Sequence, residues 1–193
     1  IQVNPRCCKC EVTSYYLFCE IYNQFGWNYF PEAFATQLLT WLEQHDREVH
    51  ASLDLGCGTG VLCRILHEHG IRSQGMDFSS GMIEIASREN PEIRFECADM
   101  ITYQPGSRFD LVTCTGDALN HIFAIEDIER IFQNVYSCLN DGGLFIFDIL
   151  SEKEGQEMED IPFTYDEKTT ALFSIVRKPD RVIELHTKVF ENG

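Results

Sequence analysis

The turn that sets the architecture of this chain reads Leu53-Asp54-Leu55-Gly56-Cys57-Gly58-Thr59-Gly60. It joins a short apolar run, Ala51 to Leu55, to apolar residues at helical spacing that begin at Val61. Because glycine has no Cβ, three glycines at this spacing allow a tight turn and a close approach of the backbone to a ligand. The helix that follows would present its first N–H groups to the same space. A tight strand-to-helix connection without a ligand is the structural alternative.

Strands and helices alternate outward from this turn. We predict five strands, at Ala51–Leu55, Ile71–Asp77, Ile93–Ala98, Asp110–Thr115 and a fully buried Leu144–Leu150. Predicted helices follow Pro31, Val61 (with Gly70 as the C-cap), Ser79 (as the N-cap) and a stripe formed by Ile125, Ile128, Phe132, Val135 and Leu139. The segment Asn140–Gly143 is expected to end the last helix. Strands this apolar predict a doubly wound α/β fold, with a mostly parallel sheet and helices on both faces.

The character of the chain changes after Leu150. Residues Ser151 to Asp160 are rich in acids and are interpreted as a solvated linker. The segments Ala171–Val176 and Val182–Val189 predict an antiparallel hairpin. We therefore divide the chain into an irregular leader (1–20), a ligand-binding α/β domain (21–150), and a linker with an antiparallel strand appendage (151–193).

Composition restricts the classes of partner. The 193 residues fit one main domain, and 15 Lys+Arg against 31 Asp+Glu give a net charge of −16. Such a surface repels phosphate backbones and anionic lipid heads, so we expect neither nucleic acid nor membrane as a partner. The sequence shows neither a membrane-spanning apolar run nor a signal peptide. Nine cysteines, an odd number, favour reduced core thiols and a cytoplasmic location; the ones in apolar runs are Cys57, Cys63, Cys97, Cys114 and Cys138.

Two acids near the glycine turn suggest what it binds. The dinucleotide fingerprint places glycine where this chain has Val61, which disfavours a pyrophosphate ligand and an NAD-dependent oxidoreductase. Asp54 precedes the first glycine by two residues and would suit a cationic amino group. Asp77, 17 residues after Gly60, ends the second strand, where a carboxylate can accept hydrogen bonds from the two hydroxyls of a ribose. Its structural alternative is an N-cap-like acid for the next helix.

Three motifs together resemble those of class I S-adenosylmethionine-dependent methyltransferases. They are Leu53–Gly60, Gly75–Met82 and Ala98-Asp99-Met100, and the resemblance extends from Tyr22 to Asp148. It is strongest for the small-molecule branch that includes glycine N-methyltransferase-like and sugar-amine N-methyltransferase-like enzymes. The resemblance implies a Rossmann-like sheet, S-adenosyl-L-methionine as cofactor with S-adenosyl-L-homocysteine as product, and transfer of the methyl group to an amine or a hydroxyl of a small molecule.

The same resemblance assigns roles to individual residues. The methionine part of the cofactor would be lined by Gly56, Cys57, Gly58 and Gly60, and its ammonium would lie near Asp54. Asp77 would hold the ribose, with Phe78 beside it, and Asp99 would accept from the adenine amine, with Met100 near the ring. Thr115 and Gly116 would lie beside the sulfonium. Tyr22 would lie over the cofactor, although Asn23 stands where the family usually has aspartate.

Candidates on the acceptor side are less distinctive. A catalytic base, where one is needed, would be His121 or Asp117, just past the fourth strand; an ordinary histidine in a loop is the alternative for His121. Asp148 ends the fifth strand and is a further acceptor-side candidate. A cofactor-binding module without turnover stays open as a different class of function, since no residue here is diagnostic of an acceptor.

The start of the chain and its missing strands leave further alternatives. Cys7, Cys8 and Cys10 with Cys19 lack the paired spacing of a zinc site, so we predict no metal and interpret them as a cysteine-rich leader. The aromatic residues between Tyr15 and Phe30 either pack on a core or form a lid. The family sheet usually has seven strands, and the chain begins at Ile1, so we expect a fragment whose exposed fifth strand promotes self-association.

Overall fold

A computed structural model describes residues 19, 22–23 and 26–149, and the strands at 158–164, 169–177 and 183–191. The chain divides into two compact units after Ile149. The expected roles of Cys7, Cys8 and Cys10, and most of the predicted leader, lie outside the described residues. The proposed domain boundaries stay a prediction.

The first unit alternates helices and strands. Its elements are α1 (Tyr29–Gln44), β1 (Ala51–Leu55), α2 (Val61–Glu68), β2 (Arg72–Asp77), α3 (Ser80–Glu89), β3 (Arg94–Cys97), β4 (Phe109–Cys114), a short 3₁₀ helix (Ala118–His121), α4 (Ile125–Cys138) and β5 (Leu139–Phe147). The strands form one sheet in the order β3-β2-β1-β4-β5, and each neighbouring pair is parallel. The predicted doubly wound, Rossmann-like α/β fold is confirmed.

The core lies on both faces of this sheet. Leu111 and Val112 are adjacent on β4 and therefore point to opposite faces. Leu111 packs in a cluster with residues of α1 and α2, whereas Val112 packs with residues of β1 and α4. Since β1 lies between β2 and β4, all five of its residues are buried. The central strand therefore holds the glycine-rich turn on a rigid support.

Two details of the fifth strand and its helix differ from expectation. The buried face of α4 is formed by Ile131, Val135 and Cys138, so Val135 is the one residue of the predicted stripe that is fully buried, and Ile125 is 61% exposed. Phe132 lies at the border of this face, with its ring 5.4 Å from that of Phe145 on β5. The predicted full burial of β5 is wrong: its residues are half-buried or exposed, and among the described strands β5 pairs with β4 alone.

The predicted irregular segment after α4 lies within β5, not between α4 and β5. The helix ends at Cys138, but β5 begins at once with Leu139. The pairing with β4 shifts between Leu139 and Leu144, so the segment 140–143 bulges within the strand. Gly142 adopts a φ of 76° there. The sequence reasoning recognised the irregularity but placed it before the strand.

The second unit contains a three-stranded antiparallel sheet. Its strands are β6 (Met158–Thr164), β7 (Thr169–Arg177) and β8 (Ile183–Glu191), in that order. Pairing of β7 with β8 confirms the predicted hairpin. The linker interpretation is wrong for Met158 to Asp160, which begin β6; their acidic composition concealed a strand.

Two further expectations concern membranes and thiols. Among the helices in the described ranges, none combines the length and the apolar character that crossing a membrane requires. Cys57, Cys63, Cys114 and Cys138 are buried free thiols, as expected for core cysteines. Cys97, which we also placed in the core, is exposed because it ends β3 at the other edge of the sheet.

Candidate active site at the carboxyl edge of the sheet

The predicted site residues share one edge of the sheet. The strand order reverses between β1 and β4, and ligands of open α/β sheets bind in the crevice at such a point, beyond the carboxyl ends of the strands. The segments that leave β1, β2, β3, β4 and β5 at this edge carry Gly56–Gly60, Asp77, Asp99, Thr115–Asp117 and Asp148, respectively. The topology thus brings together residues that are up to 92 positions apart in the chain.

The glycine-rich turn combines a structural and a ligand-facing role. Gly56, Gly58 and Gly60 all have positive φ, at 75°, 54° and 80°. A Cβ on Gly60 would stand 2.7 Å from Cζ of Phe95, so this glycine is required for packing. A Cβ on Gly58 would have no heavy atom within 4 Å, and so would project into open space. The tight-connection alternative therefore explains Gly60 by packing, whereas at Gly58 it rests on the positive φ alone and leaves room for a ligand.

Neighbouring segments close around the turn. The Gly56 and Cys57 N–H groups both donate to the carbonyl oxygen of Met76 on β2, at 2.8 and 2.9 Å. A Cβ on Gly56 would stand 2.8 Å from Cβ of Ala118 and 3.6 Å from Cε of Met100. Met100 and the 3₁₀ helix therefore lie directly beside the turn, which places the predicted adenine-side residue next to the predicted methionine-side residues.

Asp77 connects the turn to the start of α3. Its carboxylate accepts hydrogen bonds from the N–H groups of Gly58 (2.9 Å) and Ser79 (2.8 Å). Ser79 in turn accepts from the Met82 N–H, as predicted for the N-cap of α3. Burial raises the pKa of Asp77, while these backbone hydrogen bonds and the nearby His121 lower it. Each carboxylate oxygen keeps a second lone pair, so the structural role of Asp77 is compatible with binding a ribose.

Asp54 is a buried carboxyl group with spare bonding capacity. Its residue is 5% exposed, and its Oδ1 accepts a 2.7 Å hydrogen bond from the Thr113 hydroxyl. Within the described ranges, Oδ2 accepts no hydrogen bond. Burial raises its pKa to about 7, against the lowering effect of Thr113. A buried carboxylate of this kind favours a proton or a cationic partner.

Asp99 and Phe78 lie at the exits of β3 and β2. Oδ1 of Asp99 accepts from the Ile101 N–H at 2.9 Å, which fixes the turn and leaves Oδ2 for another donor. Asp99 and Phe78 are both half-buried. Their positions fit the predicted nucleoside side of the site.

Tyr22 and Asn23 lie against the glycine turn. The Thr59 hydroxyl donates to Oδ1 of Asn23 at 2.6 Å. The Tyr22 ring packs edge-on against Trp27, with centroids 4.9 Å apart. Burial raises the pKa of Tyr22, and the negative charges of Asp77 and Asp117 raise it further. Asn23 therefore bonds the glycine turn through its side chain.

The exit of β4 holds the acceptor-side candidates. Gly116 and Asp117 both adopt left-handed conformations, with φ of 72° and 65°. The Asp148 carboxylate accepts both of their N–H groups, at 2.8 and 3.0 Å. Burial and the charge of Asp148 raise the pKa of Asp117, whereas His121 lowers it. His121 is exposed and Thr115 half-buried, so this part of the edge is open to a second molecule.

Sequence reasoning missed the partners of several site residues. Thr113 supports Asp54, Thr59 holds Asn23, and Phe95 fills the space below Gly60. A signal existed for Thr113, because it is a polar residue in an apolar strand and lies in register with Asp54. For Phe95 and Thr59 no local pattern pointed to these contacts.

A cleft of about 240 Å³ lies at the opposite, amino-terminal edge of the sheet, near Asp46, Arg47, Asp110 and Asp141. The Asp110 carboxylate accepts from the N–H groups of His50 and Ala51 and from the Asn140 amide. These hydrogen bonds lower its pKa against the opposing effect of burial. We assign this acid to holding strand ends together, so the cleft does not compete with the carboxyl edge as a site.

Comparisons with known proteins find similarity to methyltransferases. Residues 53–143 match a family described as a methyltransferase domain. The chain is 31% identical over 104 residues to a ubiquinone biosynthesis O-methyltransferase of Coxiella burnetii, covering 51% of this chain and 43% of that protein. It is 28% identical over 101 residues to dTDP-4-amino-2,3,4,6-tetradeoxy-D-glucose N,N-dimethyltransferase of Saccharopolyspora spinosa, covering 52% and 41%. The chain spans about half the length of the curated relatives it matches.

Among solved structures, the fold is similar to that of an S-adenosylmethionine-dependent methyltransferase from Clostridium acetobutylicum. The TM-score is 0.67 at 23% sequence identity, and the match covers 93% of this chain and 81% of the other. At this identity the likeness demonstrates a shared fold.

Proposed function

We propose that this chain transfers the methyl group of S-adenosyl-L-methionine to a small-molecule amine, since residues 53–143 match a methyltransferase-domain family. The observation that carries the proposal is the pairing of a buried, partly unbonded Asp54 carboxylate with a glycine turn that is open at Gly58. A ligand with an ammonium group and a flat, hydroxylated nucleoside satisfies both features.

The described residues fit this cofactor. When bound, S-adenosylmethionine supplies an electrophilic methyl group on a positively charged sulfur. Oδ2 of Asp54 would accept from the ammonium, and Asp77 would accept from the ribose hydroxyls while keeping its bonds to Gly58 and Ser79. Around the nucleoside and the reacting centre we place Phe78, Asp99, Met100, Thr115 and Tyr22. The enzyme mainly aligns the reactants and excludes water, since the cofactor carries the reactivity.

An amine is favoured over a hydroxyl acceptor by charge. The open part of the site carries the exposed Asp117, and an amine, which arrives as an ammonium ion at neutral pH, is attracted by its carboxylate. The nitrogen must lose a proton before it can react, and Asp117 or His121 could accept it. The named relatives include both O- and N-methyltransferases, so the residues of this chain have to decide between them.

A thermal-shift titration tests the cofactor. S-adenosylhomocysteine at about 100 times its Kd should add roughly 2.7 kcal/mol, which raises the midpoint by about 5–10 °C for a domain of this size. NAD at the same concentration should leave the midpoint unchanged, because Val61 replaces the glycine that a pyrophosphate needs. A rise with NAD alone would reverse the assignment.

Matched acceptors test the preference for an amine. With S-adenosylhomocysteine saturating, cyclohexylamine should bind about fivefold more tightly than cyclohexanol, and Asp117→Asn should remove most of that difference. Asparagine tolerates the left-handed conformation of Asp117, so the turn should persist. The control is Asp141→Asn, an exposed acid at the other end of β5. Equal affinities of the native protein for the two compounds, measured by NMR titration, would count against an amine acceptor.

Two further predictions, a cofactor-binding module without turnover and self-association, can each be tested. A cofactor-binding module without turnover would give the thermal shift but form no S-adenosylhomocysteine from S-adenosylmethionine with any amine or hydroxyl compound. Self-association through the edge strand β5 stays a prediction, which sedimentation velocity at several protein concentrations would check.

A further inference from the structure

We propose that Asp148 is a positioning residue, whose carboxylate fills an anion-binding turn at the exit of β4 and thereby holds Asp117 toward the acceptor. This inference rests on the proposed function, because it assigns Asp117 to the acceptor side. It differs from the expectation that Asp148 itself contacts the acceptor.

The backbone brings Asp148 to this turn. Cys114 and Phe147 are the last paired residues of β4 and β5. The Asp148 N–H donates to the Cys114 carbonyl oxygen at 3.3 Å, so the strand pairing extends by one bond. The Asp148 side chain then reaches across to the residues that leave β4, and both of its oxygens accept backbone N–H groups there. A carboxylate used in this way has little capacity left for an acceptor.

The turn itself has the form of an anion site. Gly116 and Asp117 have successive positive φ values, which directs their neighbouring N–H groups to one point. Successive N–H groups in such turns form concavities that bind anions. Here the anion comes from the protein. Since Asp117 is not glycine, its left-handed conformation needs support, and the two hydrogen bonds to Asp148 supply it.

Asp148 also acts on Asp117 through charge. The groups that face the Asp117 carboxylate are Asp148, His121, the Asn120 amide and Tyr22. Of these, the negative charge of Asp148 raises the pKa of Asp117, whereas His121 and Asn120 lower it. Removing the charge at position 148 should therefore move the titration of Asp117 to lower pH, and a purely structural role would not predict that shift.

The experiment compares Asp148→Asn with Asp141→Asn in the full chain. Asparagine can accept one of the two N–H groups, so we expect at least tenfold faster hydrogen exchange at Gly116 and Asp117 in Asp148→Asn. The ¹³C titration midpoint of the Asp117 carboxyl, assigned with Asp117→Asn, should fall. S-adenosylhomocysteine should still bind within twofold of its native Kd. Unchanged exchange, or an unchanged Asp117 midpoint, would overturn the proposal.

A double-mutant cycle tests whether Asp148 acts through Asp117. We expect Asp148→Asn to weaken cyclohexylamine binding about threefold in the native background and by less than 1.5-fold in the Asp117→Asn background. Equal losses in both backgrounds would show that Asp148 contacts the amine directly and would overturn the proposal. If Asp148→Asn fails to fold, hydrogen exchange in the native protein still tests the proposal, because the Gly116 and Asp117 N–H groups must be protected from exchange if Asp148 accepts them. Failure of native protein to bind S-adenosylhomocysteine would reject the proposed function alone, since the exchange and titration measurements need no ligand.

Discussion

Replacing Asp54 by asparagine is expected to stabilise the ligand-free protein while it removes most of the affinity for S-adenosylhomocysteine. The two effects have one cause. Burial raises the pKa of Asp54 from its usual 3.8 to about 7, because removal from water disfavours the charged carboxylate. The protein thus accepts a cost in stability at a position where a ligand ammonium would relieve it.

The sign of the stability effect follows from proton linkage. Since the folded protein holds a proton on Asp54 up to about pH 7 and the unfolded chain releases it near pH 4, the free energy of unfolding falls as pH rises through this window. A shift of about three pH units corresponds to roughly 4 kcal/mol as an upper estimate. Asp54→Asn lacks this loss. Its free energy of unfolding should therefore exceed that of the native protein most at pH 8 and equal it at pH 4.

Although Asp54→Asn should stabilise the fold, it should weaken the binding of S-adenosylhomocysteine. Loss of a charge-assisted hydrogen bond costs about 1.5–3 kcal/mol, or about 10- to 150-fold in Kd. The affinity of the native protein should rise with pH up to about 7 and then level off, whereas that of Asp54→Asn should be flat. Calorimetric titrations at pH 5.5, 7 and 8.5 measure both curves.

Asp110→Asn is the matched control for these measurements. Its pKa is lowered by the hydrogen bonds that it accepts, so its substitution should destabilise the protein at pH 8 and leave binding intact. An Asp54→Asn protein that is less stable than native at pH 8, or that binds with the native pH profile, would contradict the assignment of Asp54.

Alanine at Gly58 and at Gly60 should separate ligand binding from folding. At Gly60 the new Cβ would stand 2.7 Å from the Phe95 ring, in addition to the strain of a positive φ, so we expect a loss of about 2–4 kcal/mol of stability. At Gly58 the Cβ meets open space, and the expected loss is about 1–2 kcal/mol from the left-handed conformation alone. That Cβ would occupy the space assigned to the cofactor, so Gly58→Ala should lower its affinity at least 100-fold.

Urea unfolding and calorimetric binding distinguish the two variants. The expected pattern is a folded Gly58→Ala protein without affinity and a Gly60→Ala protein with a markedly lower unfolding midpoint. Native affinity in Gly58→Ala would show that the turn does not approach a ligand at that residue. Gly142→Ala is a control for backbone strain, because Gly142 also has a positive φ and open space but lies at the opposite edge.

The fold could be predicted from the sequence because the pattern that defines each helix or strand is local. Glycines at Gly56–Gly60 and apolar runs at β1 and β4 each define their own element, and the alternation of elements then leaves few topologies. The face of α4 was harder, since Ile131 and Phe132 are both apolar and adjacent. Only the position of β5 decides that Ile131 enters the core while Phe132 packs on Phe145.

Contacts between distant segments could not be predicted in the same way. That Asp148 bonds the turn after β4 depends on the alignment of two strand ends, which no residue pattern encodes. The raised pKa of Asp54 depends on its enclosure by neighbouring strands, whereas the sequence shows only an acid near glycines. The sequence therefore indicated which residues to consider, and the structure supplied their partners.

The strand order has a consequence for how this protein could diversify. Apart from Thr115 and Tyr22, the residues assigned to the cofactor lie between positions 54 and 100, on the contiguous half built from β1, β2 and β3. The acceptor-side residues Asp117, His121 and Asp148 follow β4 and β5. Under the proposed function, exchange of gene segments downstream of about position 115 between homologues would change the methyl acceptor and leave the cofactor-binding half intact. Thr113, which belongs to the later half but supports Asp54, sets the boundary for such a recombination.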